Sequence, residues 1–292
     1  MSFTAKDVAA LRAQTGAGMM DCKKALEATG GDVAQAVEWL RKKGMASAEK
    51  RADRSTSQGL VGQAVQGHRG VLVEVNCETD FVARTDAFKA LVGKLVAQAL
   101  VGPVTNDVAE FGAQAMAAEP GKTVTDVVKE AGGTIGEAIR VSKVAILDTV
   151  AGARFGSYLH HNAAVGVLVD MHCGSEAVAA HEEIATLGKA LAEHVAATNP
   201  LAVDRTGVAA DIVEREQRIA EEQAKASGKP EPIAVKIATG KVEAFFRDNT
   251  LVGQPWVREP GKTIAELIAE TGKKAGGTVT VTRFVRFKLG EA

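Results

Sequence analysis

The chain has 292 residues, enough for two domains each with its own core. Hydrophobic residues make up 46% of it, which excludes a disordered adaptor. Lys plus Arg number 35 against 36 Asp plus Glu, a formal net charge of −1, which argues against a protein that holds nucleic acid by neutralising phosphates.

The N-terminus lacks the basic-then-apolar pattern of a secretion signal, and no stretch approaches the roughly 18 uninterrupted apolar residues of a membrane span. Three cysteines, Cys22, Cys77 and Cys173, share no CxxC spacing and cannot all pair with one another. That usage fits a reducing cytoplasm, with no membrane partner expected.

Residues 1–43 read as three short helices. Thr4 caps the first, with Asp7 three residues on and Val8 and Leu11 on one face; Thr15-Gly16-Ala17-Gly18 breaks it. The second runs from Met19 to Ala28 and stops at Gly30-Gly31, and Asp32 caps a third carrying Val33, Ala36, Val37 and Leu40 at helical spacing. Met19 and Met20 open the second helix, where adaptable side chains either fill the small core or grip a partner. Periodicity alone favours the core for one of them. The basic run from Arg41 to Arg54, interrupted by Glu49 and Asp53, reads as solvated, and residues 44–57 as a hinge-like linker.

The remainder carries an internal duplication. Gly70-Val71-Leu72-Val73-Glu74-Val75-Asn76-Cys77 returns 96 residues later as Gly166-Val167-Leu168-Val169-Asp170-Met171-His172-Cys173. Glu119-Pro120-Gly121-Lys122-Thr123-Val124 returns 140 residues later as Glu259-Pro260-Gly261-Lys262-Thr263-Ile264. The growing offset places an insertion in the second copy, about residues 201–250. There Asp211 to Ser227 and Ile233 to Arg247 are helical in composition around Gly228-Lys229-Pro230, predicting an antiparallel arm.

Each half then reads as a β-hairpin, one or more helices and a further strand. Residues 58–150 hold strands at Leu60–Val65, Val71–Cys77 and Ser142–Val150, with a helix over Asp86–Leu100. Residues 151–292 hold strands at Arg154–His160, Val165–Cys173 and Thr278–Phe287, with a helix over Ala179–Ala197 and the arm. The expected class is α+β with antiparallel sheets.

Between the strand ending at Cys77 and the helix near Asp86 lies Glu78-Thr79-Asp80-Phe81-Val82-Ala83, so Asp80 and Phe81 are expected in a connecting loop. Two readings of Phe81 stand side by side. Either it folds back onto the core, as phenylalanine usually does, or it is a wedge for a partner's pocket with Asp80 supplying acceptors.

Other chemistry is weakly encoded. Gly121-Lys122-Thr123 and Gly261-Lys262-Thr263 resemble the end of a phosphate-binding loop, but Met116 and Trp256 stand where its first glycine belongs, so both read as chain turns. His160, His161, His172, Cys173 and His181 show no ligand spacing. Cys173 matches Cys77, as a repeated packing position would, so neither metal nor cofactor is expected.

Thr79-Asp80-Phe81-Val82, with Thr15-Gly16-Ala17-Gly18-Met19-Met20-Asp21-Cys22-Lys23-Lys24-Ala25-Leu26, resembles the bacterial translation elongation factor Ts family, the nucleotide-exchange factors of the GTPase elongation factor Tu. The likeness extends through Gly156-Ser157-Tyr158, Gly228-Lys229-Pro230 and Gly253-Gln254-Pro255. It implies a ubiquitin-associated-like N-terminal domain and a non-enzymatic factor that binds elongation factor Tu·GDP, disturbs its magnesium and nucleotide site and releases GDP. It implies partner contacts at Arg12, Met19, Met20, Asp80, Phe81 and His160, displacement of the partner's magnesium-holding elements by Thr79 to Val82, and self-association through the arm. Many members continue past the last strand with a further helix that touches the GTPase; that contact is not expected from a chain reaching Ala292 soon after Phe287-Lys288-Leu289. Two rival classes are a ubiquitin-like adaptor, which needs only the first three helices, and a thiol hydrolase built on His172-Cys173.

Overall fold

The protein is described by a computed structural model covering residues 3–51 and 53–291. It is α+β with antiparallel sheets. The helices α1 (Ala5–Thr15), α2 (Met19–Ala28) and α3 (Val33–Glu49) come first. Thr4 and Asp7 form a reciprocal capping box on α1, and Asp32 accepts from the Gln35 N–H at the start of α3. Leu11, Cys22, Ala25, Leu26 and Ala36 are fully buried between these helices, with Val8 and Leu40 nearly so.

Strands β1 (Gln58–Gln66) and β2 (Arg69–Cys77) form an antiparallel hairpin, followed by α4 (Asp80–Ala83), α5 (Asp86–Val101), α6 (Val108–Ala113), α7 (Val124–Ile135) and β3 (Arg140–Asp148). The sheet order is β1-β2-β3. Val71, Val73, Val75 and Cys77 project from β2 into a core with Phe88, Leu91 and Leu95 of α5, Phe111 of α6 and Val124, Val127 and Val128 of α7. The period-two alternation of the strand thus meets the i, i+3, i+7 stripe of the helix.

A second sheet has the order β4-β5-β8, from β4 (Ala153–Leu159), β5 (Val165–His172) and, at the chain's far end, β8 (Thr280–Lys288). Between β5 and β8 come α8 (Glu176–Ala179), α9 (Glu182–Thr198), the arm helices α10 (Ala210–Ala226) and α11 (Glu231–Asn249), the short hairpin β6 (Pro255–Trp256) with β7 (Glu259–Thr263), and α12 (Ile264–Lys274). The arm rests on a small cluster of Ala202, Val208 and Phe246, with Ile212 and Val242 against it.

The chain forms two compact units. One runs to Asp148 and includes Leu159–Gly166 and the residues from Phe287; the other comprises Thr149–Tyr158 and Val167–Arg286. Residues 160–164 belong with the first because Ala163 O accepts from the Val61 N–H at 2.7 Å and Ala164 O from the Leu289 N–H at 2.8 Å.

Several expectations are corrected. Residues 44–49 are helix, not linker: α3 runs on through Met45, Ala46 and Ala48, all good helix formers. It does so against α7, where a Cβ on Gly133 would lie 2.5 Å from the Gly44 Cα. Two facing glycines let the backbones cross that closely, and this crossing ties the three helices to the first sheet's unit. Part of the basic run is paired rather than merely solvated, Lys43 with Asp21 at 2.6 Å and Arg41 with Glu130 at 3.4 Å. The helix expected over Ala179–Ala197 is split, because His181 takes extended backbone angles and caps a new start at Glu182.

One buried polar group sits at the base of the arm. His194 is fully buried; its Nδ1 accepts from the Val257 N–H at 3.3 Å, so Nε2 carries the proton and donates to Gln254 Oε1 at 2.9 Å. Burial pushes its pKa below the ordinary 6.5, with the Gln254 bond opposing. The unfolded chain therefore takes up the proton first, so stability present above pH 6.5 is lost as the pH falls below it, with a slope of up to about 1.4 kcal/mol per pH unit. Urea titrations at about pH 7.5 and about pH 5.5 should show this loss in the parent and a smaller one in His194→Gln. Equal losses would refute the assignment.

The glycine crossing gives a second expectation. Gly133→Ala should destabilise by about 1–3 kcal/mol through overpacking, whereas Gly240→Ala, in α11 with nothing within 4 Å of the added carbon, should stabilise by about 0.5–1 kcal/mol. Denaturant midpoints measure both.

Candidate functional site

Strand β2 ends in Cys77, whose buried thiol donates to Thr79 O at 3.2 Å. Burial, with the Glu137 carboxylate adding, pushes this thiol up to about 11, so it stays protonated and serves packing. Thr79 then caps α4: its backbone is extended and its Oγ1 accepts from the Val82 N–H at 3.3 Å. Asp80 and Phe81 are therefore the first turn of a helix, not a loop. A threonine cap followed by an acid suffices to start the turn, and Arg84 and the Thr85 cap of α5 end it.

The turn is clamped from a distant segment. Glu137, just past the left-handed Gly136 that ends α7, accepts from the Glu78 N–H at 3.0 Å, the Thr79 N–H at 3.1 Å and the Thr79 hydroxyl at 2.6 Å. Glu78 answers by accepting from the Ala138 N–H at 2.7 Å and from Arg54 at 3.3 Å. The Ala138 bond first, and the Arg54 charge with it, hold the Glu78 carboxyl below the usual carboxylate range. Two segments 58 to 60 residues apart thus exchange carboxylate-to-backbone hydrogen bonds in both directions.

On this clamped turn Ala83 is buried and Val82 packs against the core, while Phe81 is 80% exposed. The core reading of Phe81 is thereby removed. Asp80 is held by Arg84 one turn on, at 2.8 Å, an exposed pair that a partner can exchange at little cost.

The chain offers its own comparison 96 residues on. After Cys173, Ser175 caps α8 by accepting from the Val178 N–H at 3.3 Å, Ala179 is buried and α9 follows. Ser175, Glu176, Val178 and Ala179 stand in the order of Thr79, Asp80, Val82 and Ala83, but the place of Phe81 is taken by Ala177. The same turn is built without an exposed ring. Phe81 is absent from what the turn needs for folding.

The other residues singled out from sequence lie in the same unit. Arg12 is exposed on the last turn of α1, and Met19 and Met20, at the start of α2, are 45% and 63% exposed. Neither methionine fills the core; Cys22, Ala25 and Leu26 occupy the inward face, correcting the expectation that one of the pair would. His160, half-buried at the end of β4, donates its N–H to Val165 O at 2.9 Å, and its ring lies 4.2 Å from that of His161.

The rival sites do not assemble. Thr123 and Thr263 are helix caps with Asp126 and Glu266, and Lys122 is held by Glu119 at 2.9 Å and Glu130 at 2.5 Å rather than facing a phosphate cradle. The Cys173 thiol is buried, which pushes its pKa up. Among the described residues no group of three His, Cys, Asp or Glu is placed to hold a metal ion. Sequence reading missed Glu137 and Glu78: no local spacing marks a carboxylate whose partners lie almost sixty residues away.

The family described as Elongation factor TS matches residues 78–291, beginning at the clamp residue Glu78. The chain belongs to the elongation factor Ts family. The Elongation factor Ts of Trichlorobacter lovleyi is 42% identical over 293 residues, covering 100% of this chain and 94% of its own length. That of Erythrobacter litoralis is 44% identical over 295 residues, covering 99% and 93%, and that of Nostoc sp. 43% identical over 295 residues with the same coverage. The likeness to elongation factor Ts therefore includes the three N-terminal helices as well as the sheets.

From the exposure of its ring, Phe81→Ala should change unfolding free energy by no more than about 0.5 kcal/mol. Phe88→Ala, fully buried seven residues on, should cost about 3–5 kcal/mol. Chemical denaturation of the two variants checks the contrast; a large loss for Phe81→Ala would return it to the core.

Proposed function

We propose that the protein acts in the cytoplasm as the nucleotide-exchange factor of elongation factor Tu, binding elongation factor Tu·GDP and promoting GDP release so that GTP can enter. The observation that carries this reading is the 80% exposed Phe81 on a clamped, capped helical turn in a chain of the elongation factor Ts family. Phe81 enters between elements of the GTPase, Asp80 exchanges Arg84 for polar groups of the partner, and the Thr79–Val82 turn displaces the elements that hold magnesium. The factor works by binding alone, with no cofactor and no covalent step. Its buried, protonated Cys77 and Cys173 favour this over a thiol hydrolase.

Arg12, Met19 and Met20 dock the three-helix, ubiquitin-associated-like domain, and His160 supplies a further contact. The exposure of Arg12, Met19 and Met20 supports the docking role. The two sheets descend from a duplication, as the matched hairpins suggest: Ala115 bridges Thr123, and Pro255 pairs with Thr263, 140 residues on in both strands. The arm carries self-association, with Ile219, Ile233 and Val235 exposed along it. The near-neutral chain makes no direct contact with nucleic acid.

Magnitudes define the division of labour. A nanomolar nucleotide is held by about 12 kcal/mol at standard state, and burying one phenylalanine yields about 1.5–3 kcal/mol. The ring alone cannot expel GDP, so the docking contacts must supply the rest of the coupling. Phe81→Ala should therefore retain binding to nucleotide-free elongation factor Tu but accelerate release of a fluorescent GDP analogue at least about tenfold less than the parent at saturation. Parent-like release by Phe81→Ala would refute the wedge.

A further inference from the structure

We infer that Glu137 is a positioning residue for exchange: with Glu78 it fixes the turn that presents Phe81, and it acts only through that ring. This rests on the exchange reading above. Its ground is a second comparison within the chain. The chain folds back on Gly132 and Gly272 in a similar way: a Cβ on Gly132 would meet Glu137 O at 3.0 Å and Ile139 N at 3.8 Å, and one on Gly272 would meet Gly277 O at 2.9 Å and Val279 N at 3.2 Å. Glu137 therefore corresponds to Gly277, as Glu78 does to Gly174 and Phe81 to Ala177.

Gly277 also occupies the matching place against its own turn, since a Cβ there would lie 2.8 Å from Val178 and 3.4 Å from Cys173 O. The second turn is thus capped by Ser175 and packed directly on a glycine, with neither carboxylate. A strand-to-helix turn of this kind folds without the clamp. Both acids and the exposed ring are present together in one half and replaced together in the other.

The chemistry fits a positioning role. One carboxylate accepting two backbone N–H groups and a hydroxyl fixes the Thr79 backbone and its cap together, and so fixes the direction in which the following turn projects Phe81. Glutamine at 137 keeps the shape but loses the charge, so the two N–H bonds become neutral ones and its amide must donate to the Thr79 hydroxyl in place of accepting from it, which loosens the clamp. A ring displaced by about 1 Å loses much of its effect on the step it serves.

The test is a double-mutant cycle of Glu137→Gln and Phe81→Ala, read as GDP release from elongation factor Tu across factor concentrations, with circular dichroism confirming that each variant is folded at the assay temperature. Glu137→Asp, which keeps the carboxylate, is the rescue arm and serves if Glu137→Gln does not fold. Glu137→Gln is expected to lower the saturating release rate roughly tenfold, to shift the half-saturating concentration by less than about twofold, and to add nothing in the Phe81→Ala background. Glu137→Asp should recover part of the rate. Additive losses, or a normal saturating rate in Glu137→Gln while Phe81→Ala is impaired, would overturn the positioning role and leave the exchange reading standing. A parent-like rate in Phe81→Ala would instead overturn the wedge and this inference with it, whereas failure of the parent itself to accelerate GDP release would overturn the exchange reading.

Discussion

Glu78 and Glu137 trade carboxylate-to-backbone hydrogen bonds across the junction of β2 and α7, and the exposed phenylalanine depends on that exchange. A benzyl ring in water gains by folding back onto any apolar surface within reach. It stays outward here because Thr79 starts a helix, Val82 and Ala83 take the inward positions, and three donors on Glu78 and Thr79 are already satisfied by Glu137. The ring is held out by the backbone beneath it, not by contacts of its own.

The three N-terminal helices connect to the same framework. Helix α3 does not stop at the end of its small core but crosses α7 at the Gly44–Gly133 contact, in the last turn of α7 before Gly136 and Glu137. Arg54, after α3, reaches the other clamp carboxylate, and its carbonyl accepts from Arg140 at 2.5 Å. The exposed Arg12, Met19 and Met20, proposed to dock, and the exposed Phe81, proposed as a wedge, are thus carried on one continuous set of packed helices and hydrogen bonds within one unit.

Much of this was legible in the sequence because the signals were local. The strands, the capped helices and the paired arm follow from alternation, helical spacing and glycine or proline punctuation, and observed boundaries such as Asp86–Val101 fall within a residue or two of those expected. The four-residue helix at Asp80 was not legible: one turn is too short to show a period. Nor was the course of α3, since Gly44 reads as a break unless its opposite, Gly133, is known. Periodicity favoured the core for one of Met19 and Met20 because a ten-residue helix offers too few positions to separate two adjacent faces. The clamp itself joins residues whose spacing means nothing until the sheet brings them together.

The central claim is that Phe81 couples this protein's binding to the partner's hold on GDP. Coupling of that kind is reciprocal: the factor by which the protein weakens GDP must equal the factor by which GDP weakens the protein. The most direct measurement is the affinity of parent and Phe81→Ala for elongation factor Tu, by calorimetry, with the GTPase nucleotide-free and again saturated with GDP. The account predicts a large ratio between the two affinities for the parent and a ratio at least about tenfold smaller for Phe81→Ala, with the nucleotide-free affinity changed much less. Equal ratios in the two proteins would contradict it.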